Sequence, residues 1–482
     1  MLFERVKPMD HILESAKTRG LKRQLGAFDL TMLGIGAVIG TGIFVLTSVA
    51  ADKAGPGMMF SFLIAGFVCA LAALVYSEIA AVIPVAGSAY TYSYAIFGEL
   101  AAWMVGWALI LEYAIAAAAV AVGWSGYING FLNEIGYGLP LALTAGPADM
   151  IVGLDGTTSA GGFNLLAFLV SLFVTVLLVM GTTKSARFTA VLVIIKMIAL
   201  TAFIVLALPA VKSINFQPML PNGWGTPLSG VGILGAAASI FFAYVGFDAV
   251  STAAEETSNP NRNVPIGLIA SLAICTLIYL VVAYAAVGAV GAQPGSALSL
   301  SKEPLAFVLR EVGYPTIGNW VASAAIVALP SVVLMMLYGQ TRVLFTMSHD
   351  GLMPGIFSHV HKRFHTPHIV TLVTGTAVAL FAAMFPVGML ADISNSGTLF
   401  AFFMVALGVM VLRRRSPDLH RPFKTPMLWI VGPLAMSGCG LLFVSLGWET
   451  IRLFLAWSGI GLIIYFAYAR KHSHLGKQQQ AN

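Results

Sequence analysis

Four glycines lie close together in the segment Gly34–Gly42, in the middle of an apolar stretch long enough to cross a membrane. A glycine inside a helix weakens that helix by roughly 1 kcal/mol relative to alanine. Backbone that leaves the helix at membrane depth must find polar partners or line a cavity. The segment therefore predicts a helix that breaks near Gly40 and exposes N–H and C=O groups to a polar solute. Close helix packing is the alternative explanation, because small residues also let helices approach each other.

A second segment, Phe241–Asp248, places a glycine beside an acid inside another apolar stretch. Freed carbonyl groups of Phe242, Ala243 and Val245 would suit an ammonium group. At the first break, free N–H groups and the Thr41 hydroxyl would favour an anion such as a carboxylate. Two interrupted segments in corresponding halves of a chain point to a binding site between inverted repeats. Together the two breaks predict a receptor for a zwitterion.

Three ionisable residues lie deep in apolar segments, namely Glu112, Lys196 and Asp248. Each costs about 3 kcal/mol at the centre of a bilayer unless it is paired or hydrated. Lys196 can exchange a proton or act as a fixed cation in place of a bound metal ion; snorkelling to the inner surface is the alternative. Glu112 and Asp248 can hold a bound amine directly or through water, or they make structural hydrogen bonds to neighbouring helices.

Several residues near the breaks are candidates for gating. Tyr244 and Phe247 can close over a bound solute, although aromatic side chains inside membrane spans usually serve packing. Met336 can line a side-chain pocket, with core filling as the alternative. Acids and an arginine in the segment Glu255–Arg262 can form an inner gate with Arg342, or they form a solvated turn.

The chain carries no sequence motif that indicates an enzyme. A Walker motif, HExxH and GxSxG in a strand–turn–helix context are all missing from the sequence. The three cysteines fall inside apolar segments, and the histidines do not have a tight metal spacing. We therefore predict no catalytic residues, no metal and no cofactor. We predict that protons are the coupling ion and that the chain has no nucleic-acid partner.

The composition, 58% hydrophobic and 10% charged residues, is that of an integral membrane protein. About 20 consecutive apolar residues cross a bilayer, and the sequence contains twelve such segments. These predicted spans are 29–50, 58–82, 98–128, 163–182, 187–210, 230–253, 265–291, 317–340, 368–386, 392–412, 427–446 and 452–469. The fold class predicted is therefore all-α.

The distribution of charge predicts the topology. Most of the 26 Lys and Arg residues fall in segments on the side of the N-terminus, which places both termini in the cytoplasm. The predicted regions are a cytoplasmic tail 1–28, a first repeat 29–210, a second repeat 230–412, spans 11 and 12 at 427–469, and a cytoplasmic tail 470–482. We expect a short interfacial helix within 83–97, loops at 129–162 and 342–367, and disorder from residue 471 onwards. We interpret spans 11 and 12 as a scaffold or a lipid-facing addition.

Three stretches of the sequence resemble the cationic amino acid transporter family of the amino acid–polyamine–organocation superfamily. They are Gly34–Phe44, the segment Phe241–Gly267 and Tyr338–Arg342 with the MSHDGLMP that follows. The resemblance runs nearly from end to end. It implies a leucine-transporter-like fold, with two five-helix inverted repeats, spans 1 and 6 unwound, and two further C-terminal helices. It also implies a bacterial inner-membrane protein.

The resemblance also implies roles for individual residues. It places Val38, Ile39, Thr41 and Gly42 near a substrate carboxylate, and Phe242, Ala243 and Val245 near the amine. Glu112 and Asp248 correspond to acids of the family's site region. Lys196 corresponds to a span 5 lysine that stands in for the sodium ion of sodium-coupled relatives, and it would reach toward Gly36 and toward Ser331.

The sequence therefore predicts a secondary active transporter of L-amino acids, with proton-coupled, sodium-independent uptake by alternating access. An exchanger of amino acids or polyamines without net proton flux is the first alternative. A membrane amino acid sensor is the second. The sequence leaves open the preferred amino acid, the oligomeric state and whether a small single-span partner subunit accompanies the chain in the lipid.

Overall fold

The protein is described by a computed structural model covering residues 5–6, 25–83, 88–152, 158–181, 186–248, 250, 257–364 and 366–481. Regular structure in these residues is helical apart from two short strands. The helices are α1 Ala27–Val38, α2 Thr41–Phe44, α3 Leu46–Ala54, α4 Met58–Val82, α5 Ser88–Ile96, α6 Glu99–Glu134, α7 Leu165–Val179, α8 Ala186–Ala207, α9 Gly232–Ile240, α10 Pro260–Val290, α11 Ala297–Leu300, α12 Pro304–Glu311, α13 Pro315–His349, α14 His368–Met384, α15 Val387–Arg415, α16 Leu428–Ser445, α17 Trp448–Ile464, α18 Arg470–His472 and α19 His474–Ala481. The predicted helical membrane class is confirmed.

Eight helical segments in the described residues are long and apolar enough to cross a bilayer, and four further apolar helices have 10–17 residues. Two of the four shorter ones, Ala27–Val38 and Gly232–Tyr244, stop at the positions where the sequence predicts a break. These two short helices therefore mark the interrupted segments.

Helix α6 lies at the centre of the fold and packs against α13 and α15. Its alanine run, which includes Ala116, Ala117, Ala118 and Ala119, is fully buried. Small side chains let neighbouring helices approach closely in a membrane, where packing replaces the hydrophobic effect as the driving force.

The last long helix, α17, is attached to α6 by tryptophans. Trp107 Nε1 donates to Trp457 O at 2.8 Å, and Trp457 Nε1 donates to Trp107 O at 2.9 Å. Their rings stack with centroids 4.4 Å apart. Trp103 Nε1 donates to Gly461 O at 2.8 Å. These reciprocal bonds hold α17 against the central helix while residues such as Ile463 are exposed.

The C-terminal segment is helical where the structure describes it, so the predicted disorder from residue 471 is wrong up to Ala481. The cause is the carboxylate of Glu99, which is buried at the start of α6. It accepts hydrogen bonds from Ser473, from Tyr465 at 3.0 Å and from Arg5 at 3.1 Å. The N-terminal and C-terminal segments therefore meet on one face of the molecule.

The predicted short helix forms as α5, and its tyrosines, such as Tyr92, are buried against the other helices. Its position along the inner interface stays a prediction. Two other expectations need correction. Helix α13 continues to His349, so Arg342 belongs to a helix and its guanidinium lies 4.8 Å from the centroid of the Tyr338 ring. The loop 129–162 contains a two-stranded antiparallel hairpin, β1 Met150–Val152 with β2 Thr158–Ala160.

A buried carboxylate on α4 anchors the segment between α15 and α16. Glu78 is 2% exposed and accepts from Arg413 at 2.5 Å and from the Thr425 N–H at 2.8 Å. Arg421 Nε lies 3.3 Å from the other carboxylate oxygen. Glu78 pairs with both guanidinium groups, and these also donate to backbone carbonyls, Arg413 to Thr425 O and Arg421 to Ser416 O. A buried ion pair needs such additional hydrogen bonds.

We expect Glu78→Ala to destabilise the protein by on the order of 3 kcal/mol, because it leaves the buried guanidinium group of Arg421 and the partly buried one of Arg413 without their counter-ion. The matched control is Glu449→Ala, whose ion pair with Arg452 is 70% exposed on the Glu449 side and should contribute about 0–1 kcal/mol. Melting temperatures of both variants in the same detergent test this. Equal melting temperatures would contradict the role given to Glu78.

Candidate functional site

The first predicted break is present between α1 and α2. Ile39 is extended, with φ −72° and ψ 100°, and Gly40 follows with φ −152° and ψ −143°. Since α2 begins at Thr41, the N–H groups of its first turn have no partners within the helix. The hydroxyl oxygen of Thr41 is buried and has no hydrogen-bond partner among the described residues. Donors without partners therefore lie where the sequence predicts that the carboxylate of a solute binds.

The second predicted break follows α9. One 3₁₀ turn, Phe241–Tyr244, leads to an extended Val245 and then to Gly246 with φ +114°. A Cβ atom at Gly246 would lie 2.9 Å from Ala37 O. Only glycine combines this backbone conformation with so close an approach, so Gly246 lets the second break fit against the first helix.

The two broken segments cross in opposite directions. Gly246 lies against Ala37, and Gly42 lies so close to Ala243 that a Cβ atom there would overlap with Ala243 Cα. The residues predicted for carboxylate and amine recognition are thus adjacent. A bound solute that contacts one break also meets the other.

Tyr279 on α10 joins the two breaks, and the sequence analysis missed it. Its hydroxyl lies 2.9 Å from Val38 O and 3.0 Å from Ala243 O. A hydroxyl holds one proton, so it donates to one of these carbonyls at a time. A tyrosine inside an otherwise apolar span was the available signal, but its partners lie 241 and 36 residues away in sequence.

Lys196 on α8 reaches the first break. Its side chain is buried, and Nζ donates to Gly36 O at 3.1 Å and to Ile39 O at 2.7 Å. In an uninterrupted helix these two carbonyls would accept from the N–H groups four residues later. The ammonium group replaces those lost donors. The expected reach toward Gly36 is confirmed, and a lysine bonded in this way does not snorkel. Ser331 Oγ donates to Ala328 O of its own helix.

Two buried acids lie on the elements that carry the site. Asp248 is 6% exposed and follows the second break directly. Glu112 on α6 is 2% exposed, and its Oε2 has no hydrogen-bond partner in the described part of the chain. Its backbone carbonyl accepts from Ser394 of α15 at 3.1 Å. An unpartnered acceptor in a low-dielectric interior is costly and favours a ligand that supplies a donor.

The aromatic candidates are packed in this structure. Tyr244 OH donates to Phe62 O at 2.9 Å, and the Phe247 ring lies 5.2 Å from that of Phe402. Phe242 and Met336 are each 5% exposed. Their gating roles stay predictions, and residues 255 and 256 of the predicted inner gate lie outside the described residues.

A polar cluster at the start of α15 was also missed. Lys53 Nζ of α3 lies 2.7 Å from Asp392 Oδ2, and Ser239 of α9 donates to the same carboxylate. Asn395 Nδ2 donates to Ala238 O at 2.7 Å and to Ser239 O at 2.8 Å. The signal was the polar run 392–398, which is unusual at the beginning of an apolar span. This cluster ties both interrupted helices to α15.

The arrangement can bind a solute that carries both signs of charge. The N–H groups at the start of α2 are suited to an anion, while carbonyls and acids around Ala243 and Asp248 are suited to a cation. No group of three potential metal-binding side chains occurs among the residues that the structure describes.

Comparison with known proteins identifies the chain. A family model described as amino acid permease matches residues 25–468. The chain belongs to the amino acid permease family. The permease is 46% identical over 480 residues to the branched-chain amino acid permease of Bacillus subtilis, covering 99% of each chain. It is 41% identical over 475 residues to the methylthioribose transporter of Bacillus subtilis, covering 98% of this chain and 99% of that protein.

The permease is also 35% identical over 416 residues to the cationic amino acid transporter 4 of Homo sapiens, covering 85% of this chain and 62% of the human protein. The resemblance drawn from the sequence is therefore confirmed. Since the relatives are named as permeases or transporters, the prediction of a membrane transporter and not an enzyme is confirmed as well.

We expect Gly42→Ala to lower transport about tenfold or more, because the added methyl group forces the two breaks apart at a cost of roughly 1–3 kcal/mol. Gly459→Ala is the control, since no atom lies within 4 Å of a Cβ placed there, and it should transport at the wild-type rate. Initial rates in proteoliposomes at equal protein content decide the matter. Wild-type rates for Gly42→Ala would exclude a close contact of the breaks during transport.

Proposed function

We propose that this permease takes up L-amino acids together with protons, without sodium, by alternating access. The observation that carries the proposal is the ammonium group of Lys196 between Gly36 O and Ile39 O. Carbonyl oxygens at a broken membrane helix are typical ligands of a coupling sodium ion. Here a lysine supplies the positive charge, so the break needs no metal ion, and a proton on Lys196 can serve as the coupling ion.

Substrate recognition follows from the two breaks. The carboxylate would bind the N–H groups and hydroxyl around Thr41 and Gly42, with Val38 and Ile39 beside it. The ammonium group would bind carbonyls of Phe242, Ala243 and Val245, with Glu112 and Asp248 supplying negative charge. These assignments are supported by the Thr41 hydroxyl and the Glu112 Oε2, which have no hydrogen-bond partner among the described residues, and by the proximity of the two breaks across Gly42 and Ala243.

We further propose twelve spans arranged as two inverted repeats, with both termini in the cytoplasm of a bacterial inner membrane. Eight long and four shorter apolar helices supply twelve segments, and the first and sixth are the interrupted ones. The meeting of Arg5 with Glu99 and Ser473 places the two terminal segments on one face. The three native cysteines are buried, so single cysteines added at residues 5 and 479 can report which side each terminus occupies.

Uptake into sodium-free proteoliposomes tests the substrate class. The labelled panel would include neutral, cationic and acidic amino acids, and also methylthioribose because one relative is named for it. Concentrative uptake of an amino acid that collapses with a proton ionophore would support the proposal. Uptake of methylthioribose alone would contradict the amino acid substrate.

An amino acid or polyamine exchanger is the main alternative. Flux that requires unlabelled substrate inside the vesicles and does not depend on pH would identify an exchanger, and Lys196 would then be a structural cation. Binding without any measurable flux would instead indicate a sensor.

We expect Lys196→Met to retain part of its substrate binding but to lose the response of uptake to an inward proton gradient. The ratio of uptake with and without the gradient should fall to about one, because no proton is left to exchange at the break. Lys302→Met is the control, since its side chain is 47% exposed and pairs with Asp149. Full gradient-driven uptake by Lys196→Met would overturn the coupling role.

We expect Asp248→Ala to raise the half-saturation concentration about tenfold, with a smaller effect on the maximal rate, because a charged acceptor near the amine is lost. Concentration series of initial uptake measure both quantities. An unchanged half-saturation concentration for every substrate would remove Asp248 from the site.

A further inference from the structure

Helix α15 carries a side chain to which neither the sequence analysis nor the proposed binding mode assigns a role. Asn395 is fully buried. Its NH₂ group faces Ala238 O and Ser239 O at 2.7 and 2.8 Å. Both neighbours are acceptors, so the nitrogen of the carboxamide must be on this side. Ala238 and Ser239 belong to the last turn of α9, which ends at Ile240, and the Ser239 carbonyl also accepts from the Phe241 N–H.

The oxygen of the same carboxamide is in the opposite situation. Asn395 Oδ1 is buried and has no hydrogen-bond partner among the described residues. A buried acceptor of this kind is stabilised when a ligand supplies an N–H group. On the same turn of α15, Asp392 binds Ser239 while Ser394 binds the carbonyl of Glu112. Asn395 therefore stands where the end of α9 meets α6.

Two of the three carbonyls proposed for the amine already have donors within the protein. Phe242 O accepts from Val245 N at 3.2 Å, and Ala243 O has the Tyr279 hydroxyl at 3.0 Å. An ammonium group has three N–H donors. Further acceptors without donors of their own are needed nearby, and Asn395 Oδ1 is one.

We propose that Asn395 recognises the substrate's ammonium group: its NH₂ group holds the last carbonyls of α9, and its Oδ1 accepts one N–H of the ammonium. This inference rests on the proposed function, because it assumes an amino acid at the two breaks. It adds α15 to the elements that form the site. It also predicts that selection for an amine depends on a residue outside both broken helices.

The test compares two ligands with the same side chain and carboxylate, an amino acid substrate and the carboxylic acid that carries hydrogen in place of the amine. Affinities are measured by competition against the labelled amino acid on purified full-length protein. In Asn395→Leu the amino acid should bind about ten- to a hundredfold more weakly, while the acid without the amine, which has no donor for Oδ1, changes by less than about threefold. Ser396→Ala is the control, because that hydroxyl donates only within its own helix to Ile393 O.

Asn395→Asp separates the two halves of the side chain. It keeps an oxygen for the ammonium but opposes the carbonyls of α9 with an acceptor, so its melting temperature should fall while the preference for the amine persists. If Asn395→Leu does not fold, Asn395→Ser provides the same comparison. Equal loss for both ligands, or no loss for either, would overturn the inference. Failure of the wild type to bind any amino acid would instead contradict the proposed function.

Discussion

Backbone groups freed at the two breaks, after α1 and after α9, must be satisfied without bulk water, and most of the site follows from this constraint. Each break has donors from other helices. Lys196 donates to Gly36 O and Ile39 O. Tyr279 donates to Val38 O or Ala243 O, and Asn395 donates to the last carbonyls of α9. These side chains belong to α8, α10 and α15. Any change of geometry at the breaks therefore changes the contacts of those helices. That is the requirement for coupling substrate binding to a movement of helices.

In our account, the chemical nature of the donor at the first break determines whether a metal ion or a proton drives transport. A metal ion would be replaced from solution on each cycle, whereas the lysine is fixed and only its proton can leave. When the ammonium group loses a proton it loses one donor and its charge, so its hold on Ile39 O weakens. In the proposed mechanism, a change of protonation at this one atom would alter the stability of the broken helix.

Much of this could be predicted from the sequence where the signal is local. The glycine density of Gly34–Gly42 and the pair of Gly246 with Asp248 indicate breaks within a few residues of their positions, since helix weakness depends on neighbouring residues. The partners of the breaks could not be predicted. Tyr279 and Asn395 act across more than 30 and 150 residues of sequence, and their contacts exist only after the helices pack.

The C-terminal segment also shows that tertiary contacts could not be predicted from the sequence. Residues from 471 onwards are polar and lack periodicity, yet a single buried carboxylate, Glu99, gives Ser473 a partner and the segment folds as α19. The apolar pattern, by contrast, located the long helices because membrane insertion depends on composition along each segment and not on tertiary contacts.

The most direct test of the account is the charge moved with a neutral amino acid. Sodium-free proteoliposomes on a solid-supported membrane would be exposed to the neutral substrate with the highest affinity, for wild type and Lys196→Met. We predict a substrate-evoked current in the wild type, because a proton crosses with a zwitterion, and no current in Lys196→Met although it binds the substrate. Flux of labelled substrate without current in the wild type would contradict proton coupling through Lys196.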